Sequence, residues 1–279
     1  MRLWAWGLAL VLVLAGCPSG GGSGGAGGGA STTTTRPQNA VWPPRPGMSW
    51  QIQLQGTLDT SIDVQLFFID LFDVSTAAID ELHADGKRVV CYFSAGTNED
   101  WRTDKLDVTD PAQAALLGSV LGAHPNERYV DIRDTQYWRP IIEARMDLAV
   151  EKGCDAIDPD NVDAWNIPNN GLTITAADQL QYNRWLATEG HERGMLVGLK
   201  NDLLQVTDLV ASFDFMLNES CYLFDECQYL TPFISQNKPV FGLEYTLPVA
   251  DFCADANSKN FDFLKKDPAL LALPRVACR

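Results

Sequence analysis

Seven short apolar runs constrain this chain more than any other feature. They occupy Trp50–Gln55, Val64–Leu71, Arg88–Phe93, Ala156–Asp158, Met195–Leu199, Phe213–Leu217 and Pro239–Glu244. Each is too brief for a buried helix, and several are continuous rather than alternating. A strand that is apolar on both faces must be covered on both, as in a parallel sheet wrapped by helices. The intervening segments have helical spacing. Ser75–Asp85 places Ala78, Ile79 and Leu82 on one side and meets Gly86, a stop signal. Arg139–Lys152 precedes Gly153, and Thr175–Arg193 opens on Thr175-x-x-Asp178, the start of a capping box. Asp202–Val210 and Glu226–Gln236 complete the set. Strand alternating with helix over this length predicts an α/β chain folded as a (β/α)8 TIM barrel. An open doubly wound sheet is the second choice, weakened because no Gly-x-Gly-x-x-Gly turn follows an early strand.

The barrel fills residues 41–279, and two other segments precede it. Residues 1–16 have the layout of a signal peptide, with Arg2 before an apolar run from Leu8 to Leu14 that is too short to span a bilayer. Leu14-Ala15-Gly16-Cys17 has the pattern of a bacterial lipobox, so Cys17 is the expected lipidation site. Residues 17–40 are rich in Gly, Ser and Thr and read as a flexible tether. The expected product is an exported lipoprotein held at the outer membrane or cell surface. Its formal charge of −15 argues against nucleic acid and suits a cationic ligand. Six cysteines follow Cys17, an even number in an exported chain. Cys221 with Cys227, and Cys253 with Cys278, are the expected disulfides, while Cys91 and Cys154 read as buried thiols.

Barrel enzymes build their sites at the C-terminal strand ends. Those ends carry Asp70 and Asp73, then Tyr92, Ser94 and Gly96 with Glu99, Trp101 and Arg102 just beyond. Asp158, Asp160, Lys200, Asn201, Asn218, Glu219, Glu244 and Tyr245 follow on later strands. The run Ile157–Asp163 is the densest in acid. Like charges so close are costly near a core unless they are solvated, metal-loaded or catalytic. Two carboxylates facing one polar, aromatic-lined cleft are the machinery of glycosidic cleavage. Trp50, Tyr92, Trp101, Trp165, Tyr222 and Tyr245 are the candidate flat faces for sugar rings. His83, His124 and His191 lack ligand spacing to one another, no EF-hand loop is present, and no Gly-x-Ser-x-Gly elbow occurs, so neither metal, cofactor nor serine nucleophile is expected.

The run Arg88–Gly96 followed by Glu99-x-Trp101-Arg102 resembles the third-strand signature of the endo-α-1,4-polygalactosaminidases, glycoside hydrolase family 114. Asp158-Pro159-Asp160-Asn161-Val162-Asp163, Gly198–Asn201, Asn218-Glu219-x-Cys221 and Glu244-Tyr245 extend the resemblance in family order. It implies a barrel related to the α-galactosidase superfamily, cleaving a cationic α-1,4-linked galactosamine polymer within biofilm-type matrix. It also implies Asp160 as nucleophile and Glu219 as general acid/base, with retention by analogy. Asp70, Tyr92, Trp101, Arg102, Asp158, Asn161, Lys200, Asn201, Asn218, Glu244 and Tyr245 form the implied substrate-binding set, and a monomer is expected. Two alternatives stand beside this reading: a non-catalytic carbohydrate-binding lipoprotein, and a glycosidase for a different α-linked glycan.

Overall fold

In the computed structural model, residues 42 and 44–279 apart from 123 are described. The signal-peptide, lipidation and tether expectations lie outside the described residues. Eight parallel strands follow one another round a barrel. They are β1 (Trp50–Gln53), β2 (Leu66–Asp70), β3 (Arg88–Ser94), β4 (Ala156–Asp160), β5 (Leu196–Lys200), β6 (Phe215–Glu219), β7 (Val240–Glu244) and β8 (Asp262–Lys266). Each pairs in parallel with the next, from Trp50 opposite Leu66 to Glu244 opposite Lys265. A ninth strand, β9 (Arg275–Ala277), runs antiparallel along β8. The segment leading to it fills the seam with β1. Leu54 N–H donates to Leu270 O (3.0 Å), Gln51 Nε2 to Ala272 O (2.8 Å), and Arg275 Nη2 to Trp50 O (2.7 Å). Among the described residues no helix is long and apolar enough to cross a membrane.

The alternation of strand side chains sorts the core into two layers. Outward residues such as Phe67, Val89, Ile157, Val197 and Met216 pack beneath helices α1 (Thr76–Ala84), α2 (Trp138–Lys152) and α3 (Ala176–Glu192). Those helices present Ile79, Leu82, Ile142, Met146 and Leu186. Ser75 caps α1, and the Thr175–Asp178 capping box opens α3. Inward residues form a separate plug: Trp50, Ile52, Leu66, Phe68, Val90, Ala156, Phe215, Leu217, Phe241, Leu243 and Leu264. Its rings meet edge-on, Phe68 lying 5.2 Å from Trp50 and 5.8 Å from Phe215. Gly198 is required there because a Cβ would stand 2.2 Å from the Phe215 ring. Trp50 is thus a barrel-floor residue, 1% exposed, and not a sugar platform.

Toward the C-terminal rim the inward positions change character. Two residues on from Phe68 stands Asp70, from Val90 Tyr92, from Asp158 Asp160, from Gly198 Lys200, from Leu217 Glu219 and from Leu243 Tyr245. An apolar floor therefore carries a polar upper layer, reached one step earlier on β4, where Asp158 already faces inward. Between β3 and β4 an antiparallel sheet of Thr97–Glu99, Leu117–Leu121 and His124–Val130 adds a wall to that rim.

Among the described residues three disulfides brace the fold. Cys221 is bonded to Cys227, and Cys253 to Cys278. Cys91 and Cys154 are bonded as well, correcting the reading of two free thiols. They are 63 residues apart in sequence, but β3 lies beside β4. Cys91 faces the helix layer, and Cys154 enters the neighbouring strand with its Cα 5.9 Å away.

Candidate active site

The polar upper layer opens into a cleft of about 310 Å³ at the C-terminal rim. Asp160 ends β4, Lys200 β5 and Glu219 β6, so three adjacent strands supply the centre. The Lys200 Nζ bridges both acids, 2.9 Å from Asp160 Oδ1 and 3.1 Å from Glu219 Oε2. Lys200 is 4% exposed. Burial works against its charge, yet Asp160, Glu219 and Asp158 together raise its pKa well above the ordinary lysine value. It is a permanent cation under the cleft.

The remaining partners of the two acids are donors. Tyr92 OH donates to Asp160 Oδ2 at 3.0 Å, and Asn161 N–H to Oδ1 at 2.7 Å. Tyr245 OH donates to Glu219 Oε1. Burial and the adjacent carboxylates raise both tyrosines, so each stays protonated at neutral pH. Asn201 Oδ1 accepts from Glu219 N–H (3.0 Å) and Asn218 Nδ2 (3.2 Å), which fixes the end of β6. Asn161 takes a left-handed turn (φ 61°), a conformation asparagine tolerates. Gly96 lies against it, where a Cβ would fall 1.7 Å from Asn161 O.

Tyr92, Asp160, Asn161, Lys200, Asn201, Glu219 and Tyr245 therefore line one cleft. The other residues of the sequence set stand elsewhere. Asp158 is fully buried beneath the centre, and neither of its oxygens has a hydrogen-bond partner among the described residues. Burial pushes it up to about 7. It cannot touch a substrate there. Asp70 and Arg102 are buried in an ion pair of 2.6 Å, with Glu99 on the other side of the guanidinium. Asp70 also caps the backbone N–H groups of Phe72 and Asp73. Trp101 is 53% exposed and does not line the cleft. Asn218 is buried behind Asn201, and Glu244 is buried accepting from Tyr222 N–H at 2.8 Å. Trp165 donates to Asp202 and Tyr222 to Asp255, both away from the cleft lining.

Sequence reasoning missed one wall. Leu121, His124 and Glu127 come from the inserted sheet, Pro268 and Leu270 from the segment after β8. Glu127 accepts from Thr97 Oγ1 and from Asn161 Nδ2 (3.3 Å), tying the insert to the β4 turn. Burial raises its pKa, and burial with Asp160 pushes Asp163, also in the wall, up to about 6. The cleft thus holds four carboxyl groups around one lysine. Among the described residues, no group of three or more His, Cys, Asp or Glu side chains is arranged to hold a metal ion.

A parallel barrel with a polar cleft at its C-terminal rim, floored by carboxyls and a lysine, has the architecture of a glycoside hydrolase. The chain belongs to glycoside-hydrolase family GH114, whose model matches residues 31–279. It is similar to Aspergillus fumigatus Ega3, solved in complex with galactosamine, at 35% identity over 85% of this chain and 97% of that one (TM-score 0.78). The glycoside hydrolase domain of PelA from Pseudomonas aeruginosa shares the fold at 15% identity over 82% of this chain and 97% of that one (TM-score 0.62). An α-galactosidase from Thermus thermophilus does so at 13% over 82% of this chain and 60% of that one (TM-score 0.53). No curated protein sequence matches the chain.

Proposed function

We propose that the protein is an endo-acting hydrolase of α-1,4-linked galactosamine polymer that retains anomeric configuration, with Asp160 as nucleophile and Glu219 as general acid/base. The observation that carries this reading is the Lys200 bridge. Contacts of 2.9 and 3.1 Å to one Nζ bring an oxygen of each acid within about 6 Å of the other. That span suits the ~5–5.5 Å of retaining pairs better than the ~6.5–9.5 Å that leaves room for an inverting water. Every partner of Asp160 donates to it, as suits a carboxylate that attacks the anomeric carbon. Glu219 then protonates the departing oxygen and afterwards takes a proton from the incoming water. Lys200 and Tyr92 hold the attacking oxygens in place, and Tyr245 orients the acid.

The similarity to Ega3, whose structure contains galactosamine, supports the amino-sugar substrate, as do the acidic cleft and the formal charge of −15. Export as a Cys17-anchored monomer would put this activity outside the cell, beside extracellular polymer. Incubation with partly deacetylated galactosaminogalactan, with chitosan and polygalacturonate as controls, tests the proposal. Wild-type chain should release oligosaccharides from the first polymer alone, and Asp160→Asn and Glu219→Gln should each abolish release while keeping the wild-type circular dichroism. Undiminished cleavage by both variants would refute the assignment.

A further inference from the structure

A second groove lies on the same rim, and bond cleavage in the first leaves it unused. It is formed by the turn after β1 and the turn after β2, with a volume of about 590 Å³. Thr57, Thr60 and Ser75 bring hydroxyls to it, Asp73 and Glu81 carboxylates, and Leu58 an apolar patch. Asp73 is 71% exposed at its side chain, with Oδ1 3.6 Å from Arg102 Nη1 at the edge of the buried Asp70–Arg102 pair. Glu81 accepts from Thr60 Oγ1 at 3.2 Å, so one oxygen is held and the acid is oriented. Hydroxyls beside carboxylates suit a sugar that carries an ammonium group.

The groove adjoins the catalytic cleft. Leu270 lines the cleft, and its carbonyl accepts from Leu54 N–H at 3.0 Å. The next residue, Leu271, touches Gly56, which lines the groove: a Cβ on Gly56 would lie 3.1 Å from Leu271 Cδ2. The consecutive residues Leu270 and Leu271 therefore link the lining of the cleft to that of the groove. That link is anchored, since Lys266 Nζ donates to Leu271 O at 2.6 Å and to Ala272 O at 3.0 Å. A short oligosaccharide in the cleft would stop at this ridge, and a long chain would cross it.

Resting on the galactosamine-polymer reading, we infer that the Thr57–Thr60–Asp73–Glu81 groove is a remote subsite that binds the continuing polymer chain beyond the Leu270–Leu271 ridge. It would add affinity for long substrates and leave bond cleavage to the cleft. The test compares binding of a long, deacetylated α-1,4-galactosamine polymer with that of its trimer by titration calorimetry. The full chain carries Glu219→Gln to prevent turnover, with and without Asp73→Asn plus Glu81→Gln, and a charge-reversed pair, Asp73→Lys plus Glu81→Lys, serves as the second variant. Both acids are exposed, and because Asp73 also faces Arg102 at 3.6 Å, circular dichroism of each variant must match the parent. Removing two exposed carboxylates from the path of a cationic chain predicts roughly a fivefold fall in polymer affinity for the neutral pair and a larger one for the reversed pair, with trimer affinity unchanged. Polymer and trimer affinities that stay fixed, fall by the same factor, or are undetectable in the parent would overturn the inference. Failure of the hydrolase reading would show separately, as a wild-type chain that binds polymer without cutting it.

Discussion

The fully buried, unpartnered carboxyl of Asp158 makes stability depend on pH in a way that one substitution should remove. Its pKa is raised from 3.8 to about 7 by burial, with Asp160 and Glu219 adding to the rise and Lys200 opposing it. Below about pH 4 the carboxyl is protonated in both folded and unfolded chain, so folding bears no cost from its charge. Between about pH 4 and 7 the unfolded chain releases that proton and the folded chain keeps it, so stability falls as pH rises. Above about 7 the folded carboxyl ionises too and the loss is complete. About three units at ~1.36 kcal/mol each give roughly 4 kcal/mol lost across this window. Asp158→Asn keeps the shape and cannot titrate. Urea unfolding with disulfides intact, at pH 4.5 and pH 8, should show the wild-type drop in free energy reduced by about 3 kcal/mol in the variant, because about a quarter of the loss is already present at pH 4.5. KM for polymer should change less than about twofold, because the side chain is out of substrate reach. A variant with the wild-type pH dependence, or with KM raised tenfold, would refute the argument.

Two further perturbations address the frame of the site. Lys200→Met leaves Asp160, Glu219 and Asp158 facing one another without their shared cation. Initial rates should fall at least about a hundredfold, and urea unfolding should show a loss of about 3–5 kcal/mol, as for half of a buried ion pair. Replacing both Cys91 and Cys154 by Ser removes a crosslink closing 63 residues, and the unfolding free energy should drop by about 4 kcal/mol in the chain-entropy limit, with the cleft chemistry intact in the folded fraction.

The barrel was legible because its strands are apolar on both faces and its helices carry start and stop signals. The Thr175–Asp178 box, for instance, begins a helix at Ala176 as expected. The eighth strand escaped notice because Asp262, Lys265 and Lys266 break its apolar run, and those polar groups are satisfied only in three dimensions: Asp262 by Gly47 N–H and Arg279, Lys266 by the seam carbonyls. The insert escaped for another reason. Its central strand opens His124-Pro125-Asn126-Glu127-Arg128, mostly exposed and without apolar alternation, so Glu127 and His124 had no sequence signal pointing to a cleft. Strand-end acids were all visible, yet position along the chain does not tell depth. Asp158 and Asp160 share a face and differ by one layer, which suffices to bury the first and open the second to the cleft. The thiols of Cys91 and Cys154 looked isolated because strand adjacency in a parallel barrel links residues far apart in sequence.

In the proposed mechanism Asp160 and Glu219 act as a close, lysine-bridged pair on an α-linked amino-sugar chain. Proton NMR of the first product released from the galactosamine polymer tests it most directly, because the anomeric signal appears before mutarotation. New reducing ends should form first in the α configuration; β ends appearing first would contradict the mechanism.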